Sequence, residues 1–182
     1  LRFVQPPRPA LIAIGGLSGT GKTTLAVALA PGLGAAPGAV IVRSDIERKR
    51  LAGLPWDARL PSEGYTQAAS AQTYAELLRR ARLVLPAGHA VIVDAVSSRP
   101  DERAAIEALA REAGVPFLGI WLDTPLDTAR QRVDNRTGDA SDAGAAVVER
   151  QRGYDLGDIA WPRIDTGHSV ERVVAQARAL LN

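Results

Sequence analysis

Lys22 and Thr23 follow a run of glycines and small residues, Gly15-Gly16-Leu17-Ser18-Gly19-Thr20-Gly21, and Thr24 comes next. Read from Gly16, the run satisfies G-x-x-x-x-G-K-[ST], the pattern of a phosphate-binding loop. Glycine lets successive backbone N–H groups converge on phosphate oxygens with no Cβ in the way. In such a loop Leu17, Ser18, Gly19, Thr20, Gly21 and Thr24 line the phosphates. Lys22 reaches the β- and γ-phosphates, and the Thr23 hydroxyl sits on Mg²⁺. The chain has two lysines, Lys22 and Lys49, and one stands where the pattern needs it.

Further residues suit transfer of a phosphoryl group. Such transfer needs charge neutralisation around the moving group and an oriented acceptor oxygen. A carboxylate can take the acceptor's proton, and arginines can stabilise the transferring group. Asp45 and Arg48 stand three residues apart, one helical turn on the same face. Asp45 reads as a general base and Arg48 as a contact to the acceptor or its phosphate; Asp45 also reads as a helix N-cap. Asp94 ends an Ile-Val-Asp run and could orient Arg48, reach Mg²⁺ through water or contact the acceptor. Asp123 is a weaker candidate, because Asp-Thr-Pro also makes a good helix start. Arg132 and Arg136, spaced i, i+4 on a helix read as ending at Thr137-Gly138, would set two guanidinium groups over the nucleotide as a lid. Arg99, Arg103, Arg150 and Arg152 could extend an acceptor surface, and His168 could touch a base. His89, Trp56, Tyr65 and Tyr74 read as structural.

These residues need elements to hold them. Ala10 to Ile14 is an apolar strand ahead of the loop, and Leu25 to Ala30 opens a helix whose positive end addresses the phosphates. Further strands are read at 39–42, 89–93, 115–122 and 161–164. Helices are read from Asp45, from Ser62 or Thr66 to Leu85, from Pro100 to Ala113, from Pro125, from Ala143 to Arg152, and from Ser169 to Leu181 with Ser169 as its cap. Strands alternating with helices imply an α/β fold with a parallel sheet covered on both faces. Ligands bind such sheets at the carboxyl ends of the strands, where the phosphate loop, Asp45, Asp94 and Asp123 all fall.

The bulk properties are those of one globular domain. The chain has 182 residues, 46% hydrophobic and 23% charged. Net charge is +2, so a pI near 9.4 reflects how little titrates between pH 7 and 9 and does not by itself argue for nucleic acid. The chain has no cysteine, which excludes disulfides and a thiol nucleophile. It has no 18-residue apolar run and no signal-peptide pattern, so no membrane partner is expected and cytoplasm is the expected compartment. Residues 1–9 read as a Pro-rich linker and 10–182 as the domain, with a lid around 130–153. The Met-free, Pro-rich opening reads as a piece from the C-terminal side of a longer polypeptide.

The phosphate loop, Arg43-Ser44-Asp45-Ile46-Glu47-Arg48, Val93-Asp94 and Arg132-x-x-x-Arg136 together resemble polynucleotide 5′-kinases and the wider small-kinase group with zeta toxins and gluconate kinase. Gly-Gly-Leu-Ser-Gly-Thr-Gly-Lys, Arg-Ser-Asp-x-x-Arg-Lys-Arg-Leu, Val-Asp-Ala, Gly138 to Ala143 and the Asp155 to Asp165 tail are similar to a group of predicted bacterial P-loop kinases of the AAA_33 kind. The resemblance implies a three-layer P-loop NTPase fold with strand order 2-3-1-4-5, ATP and Mg²⁺ as cofactors, and Asp45 as base. It further implies Arg48 as acceptor contact, and Arg132 and Arg136 on the nucleotide. It also implies fusion to an N-terminal aminoglycoside-phosphotransferase-like domain. Asp45 is not followed by a second acidic residue, and no basic track lies near Asp94. An ATP-dependent kinase for a hydroxyl on a small molecule is therefore favoured. A 5′-hydroxyl polynucleotide kinase and an ATP-binding regulatory module are the alternatives.

Overall fold

The computed structural model describes residues 8–135 and 139–181. Most of the expected linker, and Arg136, lie outside the described residues. Five parallel strands form one sheet: β1 (Leu11–Gly15), β2 (Val40–Arg43), β3 (Val91–Asp94), β4 (Phe117–Asp123) and β5 (Arg163–Asp165), in the order β2-β3-β1-β4-β5. Among the described residues seven α-helices flank it: α1 (Lys22–Leu29), α2 (Ser44–Leu51), α3 (Gln67–Val84), α4 (Pro100–Glu112), α5 (Leu126–Asp134), α6 (Ala145–Arg152) and α7 (Val170–Ala179).

The sheet is apolar on both faces because helices cover both. Leu11 and Ala13 of β1 point into a core with Leu77 and Leu85, Val91 and Val93, and Ile106 and Leu109. Ile12 and Ile14 point the other way, into a core with Leu25, Leu29, Ile120, Val173 and Val174. The period of two along β1 thus feeds two separate cores, with α3 and α4 on one face and α1 and α7 on the other. In register, β1 lies between β3 (Ile14 opposite Asp94) and β4 (Gly15 opposite Trp121). The carboxyl ends of three strands therefore meet where the phosphate loop begins.

Some boundaries differ from the sequence expectation, for local reasons. Helix α3 starts at Gln67 because Thr66 is its cap, its side chain accepting from the Ala69 N–H. β5 begins at Arg163 and not Trp161, whose indole fills the space over Gly119 and donates to Glu107 at 2.7 Å. Helix α5 ends at Asp134, capped by Asn135, short of the expected Thr137. α2 follows β2 with no intervening loop, so Arg43 takes the N-cap place and Asp45 lies in the first turn.

Arg103 is not part of any acceptor surface. It is 4% exposed, donates to the carbonyls of Ser97, Ser98, Leu156 and Asp158, and lies over the Trp121 ring. It ties the chain after β3 to the chain before β5. Arg103→Met is expected to lower unfolding free energy by about 2–4 kcal/mol, because buried carbonyls lose a charged donor. Urea denaturation measures this.

Candidate active site

The phosphate loop leaves β1 at Gly15 and enters α1 at Lys22. Its glycines are required by geometry. Gly19 has φ +81, and a Cβ there would lie 2.6 Å from the Ala129 carbonyl oxygen. Gly16 has φ +140 and would meet the Leu122 carbonyl at 2.7 Å. Gly21 is the N-cap of α1 with no side-chain cap, and the first turn holds no acidic residue. The helix therefore presents free N–H groups and an unopposed dipole to an anion. The Leu17 carbonyl accepts from Lys22 Nζ at 2.9 Å and from Thr20 Oγ1 at 2.8 Å.

At the end of β3, Asp94 accepts from Thr23 Oγ1 at 2.6 Å, and Arg43 Nε lies 3.4 Å from the same oxygen. Arg43 Nη2 also bonds Asp139, at 2.5 Å. Asp94 therefore orients Arg43; of the roles read for it, orienting Arg48 is not seen, because Arg48 is held by Gly64 and Ser70. Burial pushes the Asp94 carboxyl above its ordinary value, against the pull of Lys22, the Thr23 hydroxyl and Arg43. A hydroxyl and a carboxylate this close make a hard oxygen donor pair that fits Mg²⁺, which takes one or two protein oxygens together with phosphate oxygens.

The raised Asp94 carboxyl has a consequence for stability. Unfolded, it ionises near 3.8; folded, it ionises higher, so the folded chain binds this proton more tightly and loses stability as pH rises between the two values. Asp94→Asn is expected to raise the melting temperature of the ligand-free protein at pH 7. The gain should shrink as pH falls through that window and vanish below it; calorimetry across pH measures this.

On the β2–β3 side, Asp45 and Arg48 line one cavity with the phosphate loop. Arg48 Nη1 donates to the Gly64 carbonyl at 2.8 Å and to Ser70 Oγ at 3.3 Å, and its guanidinium lies over the Tyr65 ring. All these partners are neutral, so Arg48 keeps its charge for the cavity. No hydrogen bond or ion pair from a described residue holds the Asp45 carboxylate. It sits in the first turn of α2, within electrostatic reach of Arg43, Asp94 and Tyr65. The other described carboxylates lining the cavity are engaged: Asp94 and Asp139 as above, Asp142 by Lys49, and Glu102 by the Arg99 N–H.

Lys49 and Asp142 were not singled out as a pair by the sequence. Lys49 is 1% exposed and donates to Asp142 and to the Trp56 carbonyl, both at 3.1 Å. The second Asp142 oxygen accepts from the Leu60 N–H at 3.0 Å and the Tyr65 hydroxyl at 3.1 Å. Asp142 thereby fastens the segment ahead of α6 to the loop between α2 and α3. The hydroxyl of Tyr65 is pushed well above the usual tyrosine range by burial and by this carboxylate.

On the β4–β5 side, Arg132 comes within 3.9 Å of where a Gly21 Cβ would lie. It donates to the Thr166 carbonyl at 2.7 Å and to Thr166 Oγ1 at 3.2 Å. Thr166 Oγ1 in turn donates to the Thr20 carbonyl at 3.0 Å. His168 and Val170 line the same end of the cavity. Asp123 does not join the site: it accepts from Trp121 Nε1 and from Arg163, both at 3.0 Å. Arg99 pairs with Asp101 on the surface. Arg150 lines the cavity, and Arg152 does not. Tyr65 and Tyr74 both line it, although their positions read as packing. Gln151 of α6, unmarked by any motif, accepts from the Ser18 N–H at 2.7 Å.

The cavity has a volume of about 1330 Å³ and runs along the carboxyl ends of the strands. A parallel sheet of this order with a phosphate loop after its central strand is a P-loop kinase-like domain. The chain belongs to the AAA domain family AAA_33, whose family model matches residues 11–154. Over 177 residues it is 36% identical to the uncharacterized protein Rv2004c of Mycobacterium tuberculosis, covering 92% of this chain and 34% of that protein. It is 34% identical over 113 residues to the adenylyl-sulfate kinase of Myxococcus xanthus, covering 62% of this chain and 56% of that enzyme. The chain thus spans about a third and about half of these relatives' lengths. Among solved structures, the Mycobacterium tuberculosis APS kinase CysC in complex with AMPPNP and APS has the same fold. Its TM-score is 0.70 at 24% identity, over 97% of this chain and 99% of that one. Among the described residues no helix is long and apolar enough to cross a membrane.

Proposed function

We propose that this domain transfers the γ-phosphoryl group of ATP to a hydroxyl of a small-molecule acceptor. The observation that carries the reading is the Asp45 carboxylate, held by no hydrogen bond or ion pair from a described residue in a cavity whose other described carboxylates are so held. Asp45 takes the acceptor hydroxyl's proton as its oxygen forms a bond to the γ-phosphorus. The bond from that phosphorus to the β,γ-bridging oxygen breaks, and ADP leaves. Arg48, charged and held by neutral groups, contacts the acceptor. Lys22 and the loop amides of residues 19–24 hold the β- and γ-phosphates, and Arg132, with Arg136, closes over the nucleotide. Thr23 and Asp94 would hold Mg²⁺, which when bound offsets charge on the phosphate oxygens.

The naming of an adenylyl-sulfate kinase among the relatives supports a small acceptor carrying a free hydroxyl. The reading that an aminoglycoside-phosphotransferase-like domain precedes this one in a larger polypeptide rests on the motif resemblance alone; the chain matches about a third of the length of Rv2004c. The test is a screen with γ-labelled ATP against sugars, nucleosides, aminoglycosides and 5′-hydroxyl oligonucleotides. Label is expected on a small molecule. Label on the oligonucleotides, with affinity falling steeply with salt, would replace this reading by a polynucleotide kinase. ATP binding with no transfer to any of the acceptors would favour a regulatory module.

A further inference from the structure

Three consecutive residues of the phosphate loop are each held by a different element. The Thr20 carbonyl accepts from Thr166, after β5. Gly19 lies against the α5 backbone at Ala129. The Ser18 N–H donates to Gln151 Oε1 on α6, a buried contact spanning 133 positions of sequence. Gln151 itself is 7% exposed.

The peptide between Leu17 and Ser18 is gripped at both ends. Its N–H is taken by Gln151, and its carbonyl accepts from Lys22 Nζ and Thr20 Oγ1. In a trans peptide these two groups point in opposite directions. Gln151 therefore fixes which way the Leu17 carbonyl points, and with it where the Lys22 ammonium rests. Lys22 is the residue that reaches the β- and γ-phosphates. Following that chain of contacts, the Gln151 oxygen is within about 8 Å of the ammonium, at the terminal-phosphate end of the loop.

We infer that Gln151 is a positioning residue that sets the donor site for a nucleoside triphosphate. Its carbonyl fills the Ser18 amide and holds the loop preformed, and its lack of charge leaves the terminal phosphate unopposed. The same bond docks α6, which brings Val147 and Arg150, and Tyr154 just past its end, to the cavity wall. A glutamate would make a stronger bond to the same N–H but would set a negative charge beside the γ-phosphate. The inference rests on the donor half of the proposed function.

Titration calorimetry of ATP and ADP against Gln151→Glu and Gln151→Leu tests it. Gln151→Glu is expected to weaken ATP about 10-fold more than ADP, since the added charge acts mainly on the additional phosphate. Gln151→Leu is expected to weaken both nucleotides alike, by about 5-fold or more, because a buried amide loses its acceptor. A purely structural role would move ATP and ADP together in both variants. An unchanged ATP-to-ADP ratio in Gln151→Glu overturns the inference. Amide exchange on the wild-type protein needs no variant: the Ser18 N–H should be protected without nucleotide, and fast exchange there overturns the inference as well. A wild-type protein that binds neither nucleotide overturns the donor reading and this inference together. Intact binding with an unchanged ratio overturns the inference alone.

Discussion

Lys22→Ala is expected to lower phosphoryl transfer about 10³-fold, the scale reached when a preorganised charged donor is removed from the transferring group. Its ammonium donates to the Leu17 carbonyl of the loop itself. A phosphate oxygen is a stronger acceptor than that carbonyl, so the ammonium moves to it on binding. No other lysine can substitute. Lys49 is buried and is committed to Asp142 and the Trp56 carbonyl. Because the Leu17 carbonyl keeps Thr20 as a donor, the loop should survive the change, and circular dichroism of the variant should match wild type. The measurement is label transferred from ATP once an acceptor is known. Transfer at the wild-type rate would remove Lys22 from the mechanism.

Asp45→Asn separates chemistry from binding. Asparagine has the shape of aspartate but cannot accept the acceptor's proton, so transfer should fall about 10²- to 10⁴-fold. ATP affinity should stay within about twofold, since Asp45 is not in the phosphate loop. If Asp45→Asn transfers phosphate as fast as wild type, another group is the base.

Much of this architecture is legible in the sequence, because it rests on local or periodic signals. The phosphate loop is a fixed spacing. The strands are apolar runs, Asp45 and Asp94 stand out because they lie at strand ends, and Arg48 because it stands one helical turn past Asp45. What the sequence does not show is which side chain meets which. Orienting Arg48 is one of the roles open to Asp94 from sequence, yet Arg43, in register opposite it on the neighbouring strand, is the cation it holds. Asp123 lies at a strand end like Asp94, but its β5 neighbour Arg163 claims it. Lys49 with Asp142 and Ser18 with Gln151 join segments far apart in sequence. Such contacts arise only once the sheet has brought the segments together, and they leave no periodic trace.

The position of β1 also governs when this site can exist during synthesis. The strand is made first yet lies mid-sheet, and its two neighbours are paired through Val91 and Phe117. Until both have left the ribosome, the hydrogen-bonding edges of β1 stay open. The phosphate loop, among the earliest parts of the site to be made, must then be among the last to take shape. A nascent chain halted before β4 should bind no nucleotide and should expose an apolar edge that invites chaperones.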